Sequence, residues 1–247
     1  MPLFCGCNLK YSFEIIKHYY RIIAPHYSKC TLNIQSLQHF CQYCNFVKNN
    51  MTDEGYIKFS ADWQHAPPFP EAKLAVLNTF RQELYSRGLI GAYENGIGFG
   101  NISCRAESGG LFYISGSKTG HFARLDTRHY ALVTEVGAAE NRLSCTGPII
   151  ASSESMSHAI IYEECPDVNG VIHVHDLHLW QSLMHKVPTT DASAPYGSPE
   201  MVESIRRLLR ETDLKACKIF VMEGHEEGIF TFGADLAEAM AVLKAYL

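Results

Sequence analysis

Apolar residues recur at helical spacing over residues 70–87, where Leu77, Phe80 and Leu84 fall on one face and Gly88 follows as a stop. Two short apolar runs flanked by glycine, 96–103 and 110–116, predict strands joined by a polar loop. Residues 130–136 and 142–144 predict a hairpin turning around Ala138-Ala139-Glu140-Asn141. Beyond it the pattern predicts a helix over 153–164, a strand over 171–175, a helix over 199–210, strands over 218–223 and 228–232, and a last helix over 236–246. Strands come in runs interrupted by helices and no internal repeat is seen, which points to a layered α/β architecture around one sheet.

This pattern fails before residue 51, and composition fails with it. Residues 1–50 hold five Lys and Arg against one acidic residue and five of the nine cysteines, so the rest of the chain carries a charge of -9 out of a net -5. Cys41-x-x-Cys44, with His39 or Cys30, offers part of a zinc site. Structural zinc needs four ligands and no second close pair follows, so a metal is not expected there. We read residues 1–53 as an extension of uncertain order, with Met51 the expected true start and residues 1–50 upstream of it. Residues 54–247 are the expected folded domain.

The remaining composition narrows the class. A chain of 247 residues, 47% hydrophobic and 19% charged, can bury an ample core. The acidic balance gives no footprint for nucleic acid. No apolar run approaches the roughly twenty residues of a membrane span, and the start, Met-Pro-Leu-Phe-Cys, lacks a secretory pattern. An odd number of cysteines then reads as reduced thiols, and a cytoplasmic protein is expected.

Candidate chemistry centres on Val171-Ile172-His173-Val174-His175-Asp176. Strand side chains alternate faces, so His173 and His175 project the same way and can share a divalent ion; two imidazoles with separate hydrogen bonds are the alternative. His225 lies in the turn Met222-Glu223-Gly224-His225-Glu226-Glu227-Gly228 and would complete a three-histidine site with one open position. Asp176 or Glu226 can orient those imidazoles, or can be solvated loop charges. Ser152-Ser153-Glu154 opens a helix, where a serine caps the backbone, an anion can bind, and a carboxylate can act as acid and base. The polar loops Gly100-Asn101-Ile102-Ser103 and Ser115-Gly116-Ser117-Lys118-Thr119-Gly120 can cradle an anion or serve as plain turns. Tyr113, in an apolar strand, is expected to pack in the core.

Taken in order, Asn101, Thr119-Gly120, Ser152-Ser153-Glu154, His173-x-His175 and His225 resemble the class II aldolase/adducin family over about residues 72–247. His158 and the stretch Tyr162-Glu163-Glu164-Cys165-Pro166-Asp167 belong to the same likeness. The resemblance implies a three-layer α/β/α sandwich around a central mixed, mainly antiparallel sheet, commonly assembled as a homotetramer. It implies zinc, or another divalent metal, on His173, His175 and His225, with Glu154 as the catalytic proton shuttle. It also implies phosphate binding by Asn101, Thr119, Gly120, Ser152 and Ser153. The expected activity is that of a lyase of carbohydrate metabolism, stabilising an enediolate from a small sugar or sugar-phosphate carbonyl compound. An epimerase or dehydratase with the same metal, or a non-catalytic adducin-like interaction module, are the alternatives; adducin-type domains lack the metal histidines.

The chain departs from the aldolases in two places. Between His175 and His225 those enzymes usually carry a longer insertion with a proton-donating tyrosine, whereas Tyr196 here sits in a Gly-Ser-Pro-Glu turn and does not inherit that role. Many relatives also carry a tail beyond the point matching Leu247. Metal and enediolate chemistry are therefore expected more firmly than aldol cleavage.

Overall fold

The computed structural model describes residues 57–107 and 112–247. The expected extension, its cysteines, the Met51 start and the boundary at residue 53 lie outside the described residues.

Among the described residues ten strands and six helices follow one another, with a short 3-10 turn at Thr127–His129. Strands β1 (Ser60–His65), β4 (Asn101–Arg105), β5 (Phe112–Ser115), β6 (Tyr130–Gly137), β7 (Arg142–Gly147), β8 (Gly170–His175), β9 (Ile219–Val221) and β10 (Gly228–Gly233) make one sheet in the order β1-β7-β6-β5-β4-β8-β10-β9. Only β1 and β7 run parallel; the other neighbours are antiparallel. The two-residue strands β2 (Gly91–Ala92) and β3 (Gly98–Phe99) form a separate hairpin. The helices are α1 (Glu71–Ser86), α2 (Ser155–Glu164), α3 (Leu177–Leu183), α4 (Pro199–Glu211), α5 (Leu214–Cys217) and α6 (Leu236–Lys244).

Alternation along the strands divides the core between the two faces of the sheet. Val171, Phe220, Phe230, Phe232, Ile114 and Val133 pack with α2 and α4. Ile172, Val174, Ile102, Tyr113, Ile229 and Val221 pack with α1, α3 and α6 on the opposite face. The expected α/β/α sandwich around a mixed, mainly antiparallel sheet is therefore the fold, and Tyr113 packs in its core, 5.1 Å from the Phe69 ring.

Three differences from the sequence pattern have physical causes. Strand β1 escapes the pattern because an edge strand with mostly exposed side chains shows no apolar alternation; pairing of Ser60–His65 with Arg142–Gly147 defines it. Helix α3 is only seven residues long and begins at an Asp176 cap, whose side chain accepts from Leu179 N. The predicted strand 96–103 is broken at Gly100, whose φ of 70° turns β3 out of the plane of β4. A Cβ on Gly100 would stand 2.8 Å from Ile90 Cγ1 and 3.1 Å from His173 O.

Connection β7–α2–β8 crosses three strands, β6, β5 and β4, and inserts β8 between β4 and β10. Helix α2 is buried from Ser155 to Tyr162, so it carries no amphipathic stripe.

Candidate metal centre

Strand β8 is buried throughout, and its alternation sends Val171, His173 and His175 to the α2 face. Opposite it, the β9–β10 turn is tied by Met222 N to Gly228 O (2.9 Å) and Gly228 N to His225 O (3.0 Å), while Trp180 Nε1 donates to Met222 O at 2.8 Å. The turn so held brings His225 back over the strand pair. Ligand atoms of His173, His175 and His225 all lie within 4.8 Å of one another, and all three residues are buried.

The hydrogen bonds around the histidines fix which nitrogens carry protons. His173 Nδ1 lies 3.2 Å from the Ile229 carbonyl, which can only accept, so Nδ1 is the donor. His175 Nδ1 lies 2.9 Å from Tyr93 Oη, and that hydroxyl donates to Glu227 Oε2 at 2.6 Å, so Nδ1 again holds the proton. Burial, and then the neighbouring imidazoles His175 and His225, hold the His173 pKa well below its ordinary value, so this ring is neutral. The Nε2 atoms of His173 and His175 face each other 3.2 Å apart. A cation between them would take both as ligands, and imidazole nitrogen is a common zinc donor.

Glu154 closes the site from the start of α2, with 1% of its surface exposed. Its Oε2 accepts from Ser157 Oγ at 2.8 Å, while Oε1 lies 3.4 Å from His225 Nδ1 and accepts no hydrogen bond among the described residues. A buried carboxylate oxygen left in this way is unusual and directs negative charge at the histidine trio. The residues present therefore fit a divalent cation. The helix cap expected from Ser152 or Ser153 is displaced by one or two residues: Glu154 occupies the cap position, and Ser152 Oγ accepts from Glu154 N at 3.3 Å.

The remaining sequence candidates lie on three segments: strand β4, the loop after β5 and the turn before α2. Asn101 is directly opposite His173 in the β4–β8 ladder, and its Oδ1 meets His158 Nε2 at 2.5 Å. Thr119 and Gly120 follow β5 on a loop joined to the Glu154 segment by the bridge between Gly116 and Ala151 and by Ser117 N to Ile150 O, 3.0 Å. Gly120 packs backbone to backbone on the β2–β3 hairpin, since a Cβ there would fall 2.1 Å from Gly91 O. The Ser153 carbonyl lies against Gly197, and the adjacent Tyr196 ring stands 4.7 Å from the His225 ring, with Lys58 Nζ 3.9 Å above Tyr196.

Tyr93, Arg81 and Phe230 were not singled out by sequence, and Glu227 only as a polar neighbour of the ligands. Of the two acids offered as orienting groups, Asp176 caps α3 and Glu226 is exposed; the neighbouring Glu227 reaches His175 instead, 3.7 Å from Nδ1. The nearby His175 imidazole holds the Glu227 carboxyl below its ordinary pKa, aided by the hydrogen bond from Tyr93. Buried Arg81 donates to the carbonyls of Thr119, Gly120 and Ala123 and so secures the loop from α1. Phe230 stacks on His173 with ring centroids 4.3 Å apart. A tyrosine in a glycine-rich hairpin and an arginine inside a helix leave no period or spacing by which to find them.

Solved structures share the fold. An L-fuculose 1-phosphate aldolase superposes with a TM-score of 0.55 at 16% identity, over 72% of this chain and 82% of its own. A sugar-phosphate aldolase from Thermotoga maritima gives 0.52 at 18% identity, over 71% and 90%. YgbL from Klebsiella pneumoniae, described as an aldolase/epimerase/decarboxylase, gives 0.53 at 17%, over 72% and 86%. No curated protein matches the chain by sequence. The profile of the Class II Aldolase and Adducin N-terminal domain family matches residues 82–246, more than half of the chain, and the chain belongs to that family.

Proposed function

We propose that this chain is a divalent-metal lyase, with zinc as its ion, that makes or breaks a carbon–carbon bond beside the carbonyl of a small sugar or sugar phosphate. One observation carries the reading: the Nε2 atoms of His173 and His175 face each other at 3.2 Å, with ligand atoms of His173, His175 and His225 all within 4.8 Å, beside the hydrogen-bond-free Oε1 of buried Glu154. His173, His175 and His225 would hold the cation, which when bound supplies Lewis-acid polarisation of a substrate oxygen.

Glu154 then has the proton transfer. Ser157 holds Oε2, so Oε1 is the oxygen that takes or returns a proton at the carbon next to the carbonyl. Asn101, Thr119, Gly120, Ser152 and Ser153 are the proposed donors to a substrate phosphate; in support, the Gly116–Ala151 bridge links the Thr119 and Ser152 segments and the β4–β8 ladder sets Asn101 opposite His173. The names of the fuculose-phosphate and sugar-phosphate aldolases of similar fold support this substrate class. A homo-oligomer, a tetramer by family likeness, and a cytoplasmic setting belong to the same reading. No helix among the described residues is long and apolar enough to cross a membrane.

Metal analysis of the purified protein after zinc reconstitution tests the reading, together with a screen of free and phosphorylated ketoses for metal-dependent cleavage. About one ion per chain is expected, lost in His225→Ala. A protein that holds only trace metal and cleaves no ketose would be an interaction module instead.

A further inference from the structure

His175 is held from outside by two residues that the proposed reaction does not use. The Tyr93 hydroxyl has one proton and gives it to Glu227 Oε2, 2.6 Å away, so in its 2.9 Å contact with His175 Nδ1 it accepts. The chain of hydrogen bonds thus runs from His175 Nδ1–H to Tyr93 to Glu227. Nε2 is then the atom that faces His173, 3.2 Å from its Nε2.

Backbone geometry sets both residues in place. Tyr93 follows β2, where its N–H donates to Ile97 O at 2.9 Å; its ring packs 4.6 Å from that of Phe99, which in turn lies 5.4 Å from the His175 ring. Glu227 holds a φ of 69°, in the left-handed region where glycine is least strained. Its carbonyl accepts from Asp176 N, the residue after His175, at 3.2 Å. A side chain kept at a strained position, with its carboxylate beside a candidate ligand, is paid for by what that carboxylate does.

We propose that Tyr93 and Glu227 are positioning residues that lock His175 in its Nδ1–H tautomer and raise the affinity of the histidine trio for a divalent cation. This rests on the metal reading above. A carboxylate reached through one hydroxyl makes the imidazole a better donor, as a carboxylate hydrogen-bonded directly to a ligand histidine does.

Two measurements test it: zinc affinity by competition with a chromophoric chelator, and the His175 tautomer of the zinc-free protein by nitrogen-15 NMR. Tyr93→Phe is expected to weaken zinc roughly ten- to a hundredfold and to mix the tautomers of His175. Glu227→Gly relieves the strained backbone, so it should melt no lower than the wild type while its zinc affinity falls about tenfold or more. A merely structural role predicts the reverse, a lower melting temperature with unchanged tautomer and affinity. Should Tyr93→Phe fail to fold, Glu227→Gly decides alone. If the wild type binds zinc and both variants bind it as tightly, the positioning role falls and the metal reading stands. If the wild type binds no zinc, both fall.

Discussion

Asn101 and His158 are joined by a 2.5 Å hydrogen bond in which the amide oxygen accepts and the imidazole Nε2 donates. The rest of the network follows from that polarity. His158 Nδ1 accepts from Ser103 Oγ at 2.7 Å, and Ser103 accepts from the Tyr162 hydroxyl at 2.9 Å. The Asn101 amide is thereby turned so that both its N–H groups remain for other partners, on the residue opposite His173.

Burial of His158 makes stability depend on pH. Desolvation lowers its pKa to about 3 in the folded protein, against about 6.5 in an unfolded chain. As pH falls below about 6.5 the unfolded chain takes up a proton that the native state refuses until about pH 3, so stability is lost across that window. Denaturant titrations should show about 2 kcal/mol lost through this residue between pH 7 and pH 5, a share of the slope that His158→Gln removes. An unchanged slope in the variant would mean that His158 takes up its proton in the folded state.

Glu154→Gln separates metal holding from proton transfer. The amide keeps the volume and the Ser157 contact but cannot cycle a proton at Oε1, so metal content should be retained while solvent-hydrogen exchange on a turned-over ketose falls about a hundredfold or more. Exchange measured by mass spectrometry in deuterated water reads this directly; full activity would assign the proton to another group.

Arg81 is a structural cation under the Thr119–Gly120 loop. Burial lowers its pKa, yet three carbonyls accept its hydrogen bonds, so Arg81→Met leaves buried acceptors without donors. A loss of roughly 2–4 kcal/mol in urea unfolding is expected. Near-neutral stability would show that water or a shifted side chain replaces the guanidinium.

Gly120→Ala puts a methyl carbon within 2.1 Å of the Gly91 carbonyl oxygen, a contact that only backbone movement relieves. Stability should drop by about 3 kcal/mol, and the proposed phosphate loop should shift, which a rise in KM for a phosphorylated substrate would register. A variant that melts with the wild type would show the hairpin to be free to move.

Bound metal should stabilise the fold by mass action. At free zinc about a hundredfold above its Kd the gain is about 2.7 kcal/mol, reversible by chelator and visible as a rise in melting temperature. No shift on zinc addition would count against a site on the three histidines.

Most of the fold was legible because alternation and helical spacing report burial directly: β8, α1 and α4 carry the periods expected of them. What escaped the pattern is held by pairing or capping, such as edge strand β1 and the Asp176-capped helix α3. The histidine trio could be assembled from the sequence because two of its members share one strand and the third sits in a turn between two apolar runs. Tyr93 and Arg81 could not, because their partners lie 82 residues away at His175 and 38 and 39 residues away at Thr119 and Gly120.

Helix α2 has no solvent-facing side from Ser155 to Tyr162; Glu154 stands at its cap and the His158 network in its middle. Close packing resists volume changes along it, save beside Ala159 and Tyr162, which line a cavity of about 250 Å³ with Phe112, Val133 and Val136. Laboratory evolution toward a new substrate should therefore target the loops at 116–124 and 189–198, with α2 left untouched as the fixed wall against which new pockets are shaped.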